Sequence, residues 1–209
     1  MKKAVIFCSG AFQDTTFPPL QKREEWLVVC ADGGFRHAQR LGIIPDMIIG
    51  DCDSFLQAYP KTVPHQIYPS EKDVTDTQLC LDWAMEQGAN EIWILGGIGG
   101  RLDHEFSHFA LMLYAIKQGI TVRLWNDRNE IFMKDTPFTL HPDGRRYVSF
   151  FPYGGDVTEF SVHGLKYQAE GITLTCDKVQ ASSNEFLDGQ QGTVSFSHGY
   201  LLVMLCDEA

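Results

Sequence analysis

The sequence predicts an α/β protein: an N-terminal, largely parallel sheet with flanking helices, followed by a C-terminal antiparallel β-sandwich. Three observations carry this. Short apolar runs alternate with segments of helical period over residues 1–128, the rhythm of βαβ units. From residue 129 onward, short β-type runs are separated by Gly-, Pro- and Asp-rich turns such as Pro152-Tyr153-Gly154-Gly155-Asp156, a pattern of sandwiches. The 209 residues, 44% of them hydrophobic, suffice for two small domains at about 100–200 residues per domain or somewhat less. The expected division is 1–128 and 129–209, with no low-complexity linker to mark it and no internal repeat.

Taken in order, residues 4–8, 26–31, 47–49, 91–95 and 122–125 read as buried strands. The start Met1-Lys2-Lys3 is followed by only Ala4-Val5-Ile6-Phe7 before Cys8-Ser9-Gly10, too short for a signal-peptide core. A helix begins at Thr75-Asp76-Thr77-Gln78, where a Thr three residues before a Gln makes a capping-box start. Leu79 with Trp83 and Cys80 with Ala84 recur at i, i+4, and Gly88 is placed to end it. A second helix begins near Asp103 and ends at Gly119, with Phe106, Phe109, Ala110 and Leu113 as its expected buried stripe. Strands are then expected at 130–134, 147–151, 160–162, 171–175, 193–197 and 200–205, with no helix of normal length among them.

The net charge of −10, from 27 acidic and 17 basic residues, argues against a surface that wraps nucleic acid, which needs a basic face. It leaves room for a nucleotide, because a metal ion mediates between carboxylates and phosphates, and it favours cationic ligands. No stretch approaches the ~20 apolar residues of a spanning helix. The six cysteines contain no Cys-x-x-Cys pair, so reduced, mostly buried thiols in a cytoplasmic protein are expected.

Four segments could carry chemistry. In Pro45-Asp46-Met47-Ile48-Ile49-Gly50-Asp51-Cys52-Asp53-Ser54, a strand runs into two carboxylates one residue apart. Ligands of open α/β sheets bind beyond the carboxyl ends of strands, and oxygen-only donors suit Mg²⁺. In Lys72-Asp73-Val74-Thr75-Asp76-Thr77, Asp76 sits at a helix start beside Lys72. Gly96-Gly97-Ile98-Gly99-Gly100-Arg101-Leu102-Asp103-His104 follows a strand and precedes a helix; its glycines let backbone approach a phosphate, and Arg101 can grip its oxygens. It fits neither the dinucleotide-binding nor the P-loop fingerprint. Ala31-Asp32-Gly33-Gly34 is a further strand end with small residues. A plain turn or cap explains any one of these alone.

A rival reading is a zinc metalloprotease, since His104-Glu105-Phe106-Ser107-His108 matches His-Glu-x-x-His, with Glu130 as a conceivable third ligand. The expected buried stripe at Phe106, Phe109 and Ala110, the strand before Glu130 and the phosphate-type turn before the helix all weigh against it. A second rival is a non-catalytic module that binds a nucleotide or another small ligand.

In their order and spacing, the four segments resemble thiamine pyrophosphokinases, and Ser182-Ser183-Asn184-Glu185-Phe186 is close to a segment late in bacterial members. The resemblance implies Mg²⁺-dependent transfer of a pyrophosphoryl group from ATP to the hydroxyl of thiamine, releasing AMP, by a homodimer with active sites at the subunit interface. It implies Asp51, Asp53 and Asp76 on the metal and polyphosphate. Asp103 is either a further metal-linked carboxylate or the acceptor of the hydroxyl proton. It implies Asp32, Gly33, Lys72, Thr77, Gly99, Gly100 and Arg101 on the nucleotide, and Ser183 and Asn184 on thiamine. His108 and Gln78 stand where the family often has Asn and Glu.

Overall fold

The structure, a computed structural model, describes residues 2–12, 25–51 and 59–208. It divides into two compact units, residues 1–111 with 118–127, and residues 112–117 with 128–209.

In the first unit, β1 (Lys2–Phe7), β2 (Trp26–Ala31), β3 (Met47–Gly50), β4 (His65–Ile67), β5 (Ala89–Leu95) and β6 (Thr121–Trp125) form a parallel sheet in the order β6-β5-β1-β2-β3-β4. The inner strands are buried almost throughout, as expected of a parallel sheet covered on both faces. Val5, Phe7, Val28, Cys30 and Ile48 form a core with Phe35 and Ala38 of the short helix α1 (Phe35–Arg40). Helix α2 (Asp76–Glu86) packs on β1, β2, β3 and β5 through a buried face that includes Cys80, Leu81 and Ala84. Its start is capped as its sequence predicts, the Gln78 N–H donating to Thr75 Oγ1 at 3.2 Å. Of the five described cysteines, all free, Cys8, Cys30 and Cys80 are buried.

Helix α3 (Leu102–Ile116) presents a different face from the expected one. Phe106 is 63% exposed, whereas His108, Leu111, Met112, Ala115 and Ile116 are buried. Its sequence is apolar around most of its circumference, so periodicity alone does not select the inward side.

The second unit has two antiparallel sheets. In chain order its strands are β7 (Asn129–Lys134), β8 (Phe138–Leu140), β9 (Tyr147–Pro152), β10 (Val157–His163), β11 (Ala169–Leu174), β12 (Ala181–Glu185), β13 (Gly192–Ser195) and β14 (Leu201–Cys206). One sheet runs β12-β9-β14-β7 and the other β11-β10-β13-β8. Phe132, Phe150, Val203, Phe160, Leu174 and Val194 share one core drawn from both sheets, the arrangement of a sandwich. The segment 182–186 lies mostly in β12, paired with β9. A register shift between Ala181 and Asn184 and a left-handed Ser183 (φ 57°) mark an irregularity there.

Candidate active site

A pocket of about 570 Å³ opens in the first unit. Its wall is built mainly where strands end: Cys8, Ser9 and Gly10 after β1, Asp32 after β2, Asp51 after β3, and Gly96 and Gly97 after β5. The segment entering α2 and the first turns of α3 complete it. The size is that of a small-molecule site, at the sheet edge where α/β proteins place ligands.

Three aspartates line this pocket. Asp32 is buried with its backbone left-handed (φ 44°), and Tyr59 Oη donates to its Oδ1 at 3.0 Å. Its backbone packs so closely on Gly50 that a Cβ there would lie 2.7 Å from Asp32 Cβ, which accounts for the glycine before Asp51. Asp51 is half-buried at the end of β3. Asp76 opens α2 with its Oδ1 2.9 Å from Lys72 Nζ, one turn earlier. Burial pushes the Asp76 carboxyl above its ordinary value; Lys72 opposes the shift, and Asp51 and Asp32 add to it. Asp46 serves the fold instead, since its Oδ2 accepts from the Val28 N–H at 2.7 Å and fixes the entry to β3.

These donors fit Mg²⁺. Asp76 Oδ1 is buried and, beyond the Lys72 ion pair, accepts no well-directed hydrogen bond. Its pKa is raised first by burial and then by Asp51 and Asp32, and a dication would offset both. Among the described residues no three His, Cys, Asp or Glu side chains close into a metal cage. An open, carboxylate-only set agrees with the habit of Mg²⁺, which uses one or two carboxylates plus substrate phosphates and keeps several waters. Asp53, an expected ligand, lies outside the described residues.

Of the residues expected on the nucleotide, Asp32, Lys72, Thr77, Gly100 and Arg101 line the pocket. Gly33 lies in a buried 3-10 turn over Asp32–Gly34, and Gly99 precedes the lining Gly100; neither is on the wall. Asp103 is also off the wall, exposed and forked onto Arg101 (Nε to Oδ1 3.2 Å, Nη2 to Oδ2 2.6 Å). This partner holds its carboxyl below the ordinary value. In the second unit, Ser183 is exposed, and its N–H donates to Ser149 Oγ. Asn184 is buried; its Oδ1 accepts from the N–H groups of Tyr167 and Glu185, and its Nδ2 donates to the Tyr167 carbonyl at 2.6 Å.

The structure adds residues that the motifs did not single out for this pocket. Tyr59 holds Asp32. Cys8 is on the wall with its Sγ 3.4 Å from Thr77 Oγ1, and burial pushes its thiol up to about 11. The Glu105 carboxylate accepts from the N–H groups of Gly99 and Gly100. His108, also on the wall, donates from Nδ1 to the Gly97 carbonyl at 3.0 Å, and burial lowers its pKa. The Tyr59 and Cys8 contacts join residues distant in sequence, whose proximity the fold creates. The His-Glu-x-x-His segment thus has Glu105 on backbone amides and one His on a carbonyl. Glu130 pairs with Arg145 at 3.7 Å, and the metalloprotease reading is not favoured.

Fold and site together define a class: an α/β domain with an acidic pocket suited to a cation and a polyphosphate, carried with a β-sandwich. Residues 20–124 match the thiamin pyrophosphokinase catalytic domain, and residues 138–201 match the thiamin pyrophosphokinase vitamin B1 binding domain. The thiamine pyrophosphokinase of Bacillus subtilis strain 168 is 32% identical over 188 residues, covering 87% of each chain. A crystal structure of thiamine pyrophosphokinase from Bacillus subtilis superposes with a TM-score of 0.87 at 31% identity over 100% of both chains. One from Geobacillus thermodenitrificans gives 0.83 at 29% identity, covering 100% and 99%. The chain belongs to the thiamine pyrophosphokinase family.

Proposed function

We infer that this enzyme transfers the pyrophosphoryl group of ATP to the hydroxyl of thiamine, giving thiamine diphosphate and AMP. The observation that carries this reading is the convergence of Asp32, Asp51 and Asp76 with Lys72 and Arg101 in one pocket at the carboxyl edge of the sheet. Neither the metalloprotease nor a non-catalytic binding module is favoured by the family match.

Such a transfer depends on in-line positioning and charge neutralisation. Asp51, Asp53 and Asp76 would hold Mg²⁺, which when bound neutralises the polyphosphate and draws charge from the attacked phosphorus. Lys72 and Arg101 bind phosphate oxygens, and the Gly99–Gly100 backbone offers N–H donors. Asp32 and Thr77 shape the floor that receives the nucleotide. Asp103, freed when Arg101 turns to a phosphate, is the candidate acceptor of the hydroxyl proton. Thiamine is a cation, and an acidic site suits it. The second unit supplies thiamine contacts through Ser183, while Asn184 holds the backbone of the exposed Tyr167.

The enzyme works as a cytoplasmic homodimer with active sites at the subunit interface. Support for the dimer is the run of exposed apolar residues Leu102, Phe106, Ala110 and Tyr114 along α3; that for the cytoplasm is the set of buried free thiols. Incubation with ATP, Mg²⁺ and thiamine should yield AMP and thiamine diphosphate in equal amounts. ADP with thiamine monophosphate would show single-phosphoryl transfer and overturn the assignment.

A further inference from the structure

We propose that Glu105 is an internal occupant of the phosphate seat, and that nucleotide binds by displacing its carboxylate from the Gly99 and Gly100 N–H groups. The inference rests on the nucleotide-site reading above and adds to it a competition built into the chain.

The geometry is specific. A single oxygen, Glu105 Oε1, accepts from Gly99 N at 2.9 Å and from Gly100 N at 2.8 Å. Gly99 is left-handed (φ 89°), the conformation that turns successive N–H groups toward one point and makes an anion-binding concavity. A carboxylate oxygen there takes the place of a phosphate oxygen in both charge and hydrogen bonding. Glu105 is half-buried and, like Gly100, lines the pocket.

The rest of the pocket follows the same plan. Lys72 is paired with Asp76 at 2.9 Å, and Arg101 with Asp103 at 2.6 Å. These two side chains and the amide pair are the donors assigned above to a polyphosphate, and each already has a carboxylate of the chain. A polyphosphate therefore gains these donors only by exchange. The Arg101 pair is open to solvent, where an ion pair is weak and changes partner readily. The Glu105 side chain is half-buried over exposed amides, and both of its hydrogen bonds carry charge, so releasing it adds a cost to the exchange. The apparent affinity of the site is the intrinsic affinity reduced by the fraction of time the seat is open. A seat open on the order of one-tenth of the time weakens binding about tenfold.

The test is ATP binding by calorimetry in the presence of Mg²⁺ and the absence of thiamine, on the full chain and on Glu105→Gln and Glu105→Asp, with inorganic tripolyphosphate as a second probe. Glutamine removes the charge. Aspartate keeps the charge but is one methylene too short to reach both amides. Displacement predicts that both variants bind ATP and tripolyphosphate about tenfold more tightly than the parent. If only Glu105→Gln binds more tightly, the effect is one of general charge and the seat is not contested. If both variants bind like the parent or more weakly, with a lower melting temperature, Glu105 merely braces the loop and the proposal is overturned while the nucleotide site stands. If the parent itself binds neither ATP nor tripolyphosphate, the site reading fails and takes the proposal with it.

Discussion

Replacing Asp76 by Asn keeps the shape of the side chain and removes its charge, and the structure gives opposite signs for the two consequences. Activity should fall. Asp76 is a part-buried carboxylate of the pocket, its side chain 25% exposed and ion-paired with Lys72 at 2.9 Å. Loss of a charge that holds the metal removes about 3 to 5 kcal/mol of transition-state stabilisation, on the order of 10²- to 10⁴-fold in kcat/KM. Stability of the metal-free protein should not fall with it. Burial and the neighbouring Asp51 and Asp32 raise the Asp76 pKa despite the opposing pull of Lys72, so the folded state disfavours the ionised form. A raised pKa stabilises the fold fully only below the ordinary value of 3.8, and that contribution is lost as pH rises through the folded value. Near neutral pH the neutral Asn therefore stands on the favourable side, and Lys72 keeps its hydrogen bond to the Pro69 carbonyl at 3.2 Å. Asp76→Asn should melt at or above the parent without metal, the difference closing toward acid pH. With Mg²⁺ and ATP the parent should rise in Tm and the variant should not. Near-parental turnover at low Mg²⁺ would remove Asp76 from the metal site. A fall of several degrees in the metal-free Tm would refute the electrostatic reasoning.

Three further outcomes follow from the contacts. Gly34→Ala places a Cβ 1.9 Å from the Phe7 carbonyl oxygen at an ordinary φ of −60°, so the clash is one of space; it should lower stability by about 1–3 kcal/mol or more in a urea titration, and a parental midpoint would contradict the packing. His108 has a lowered pKa through burial, so its contribution to stability is complete above the ordinary value of 6.5 and is lost as pH falls from there through the folded value; His108→Asn should flatten that slope in pH-dependent melts and retain substantial, zinc-independent activity. Ser183→Ala should raise the KM for thiamine roughly two- to tenfold with an unchanged KM for ATP and an unchanged melt, whereas Asn184→Ala leaves the Tyr167 backbone groups without their partner and should destabilise by about 1–3 kcal/mol.

The buried strands were legible because parallel strands covered on both faces read as continuous apolar runs: β2 is apolar throughout, and β1 and β5 are so after Lys2-Lys3 and Asn90-Glu91. The start of α2 was legible because its cap is a local contact, Thr75 to Gln78. What escaped had no local signature. Strand β4 is three exposed residues at an edge, and β12 is a polar Ser-Ser-Asn run that pairs by backbone with β9. The inward side of α3 depends on what lies beneath it, so a buried His108 and an exposed Phe106 invert the expectation from hydrophobicity. The strand-end carboxylates were found as motifs. The left-handed turn that aims Asp32, the Tyr59 hydroxyl that holds it and the absence of a Cβ at Gly50 that admits it were not.

A chain of net charge −10 that receives a polyanion needs an explanation beyond its two pocket cations, and the sheet provides it. The loop after β1 is joined to the loop after β5 by backbone hydrogen bonds, Cys8 N to Leu95 O at 2.8 Å and Gly10 N to Gly96 O at 3.0 Å, so the two strand ends are held as one surface. Onto that surface the helices α2 and α3 bring their first turns, where the backbone favours negative charge. Carboxylates already lie in these positions: Asp76 at the first residue of α2 and Glu105 reaching back to the amides before α3. The chain's own acids neutralise its anion-binding donors until a ligand arrives, which keeps the donors oriented and desolvated groups paired. A phosphate arriving with a cation would then exchange one set of paired charges for another, and the acids released from Lys72 and Arg101 would be available to the cation and to the hydroxyl proton. The same acidic surplus that argues against a nucleic-acid surface would suit this pocket to a dication and a cationic acceptor beside a polyphosphate.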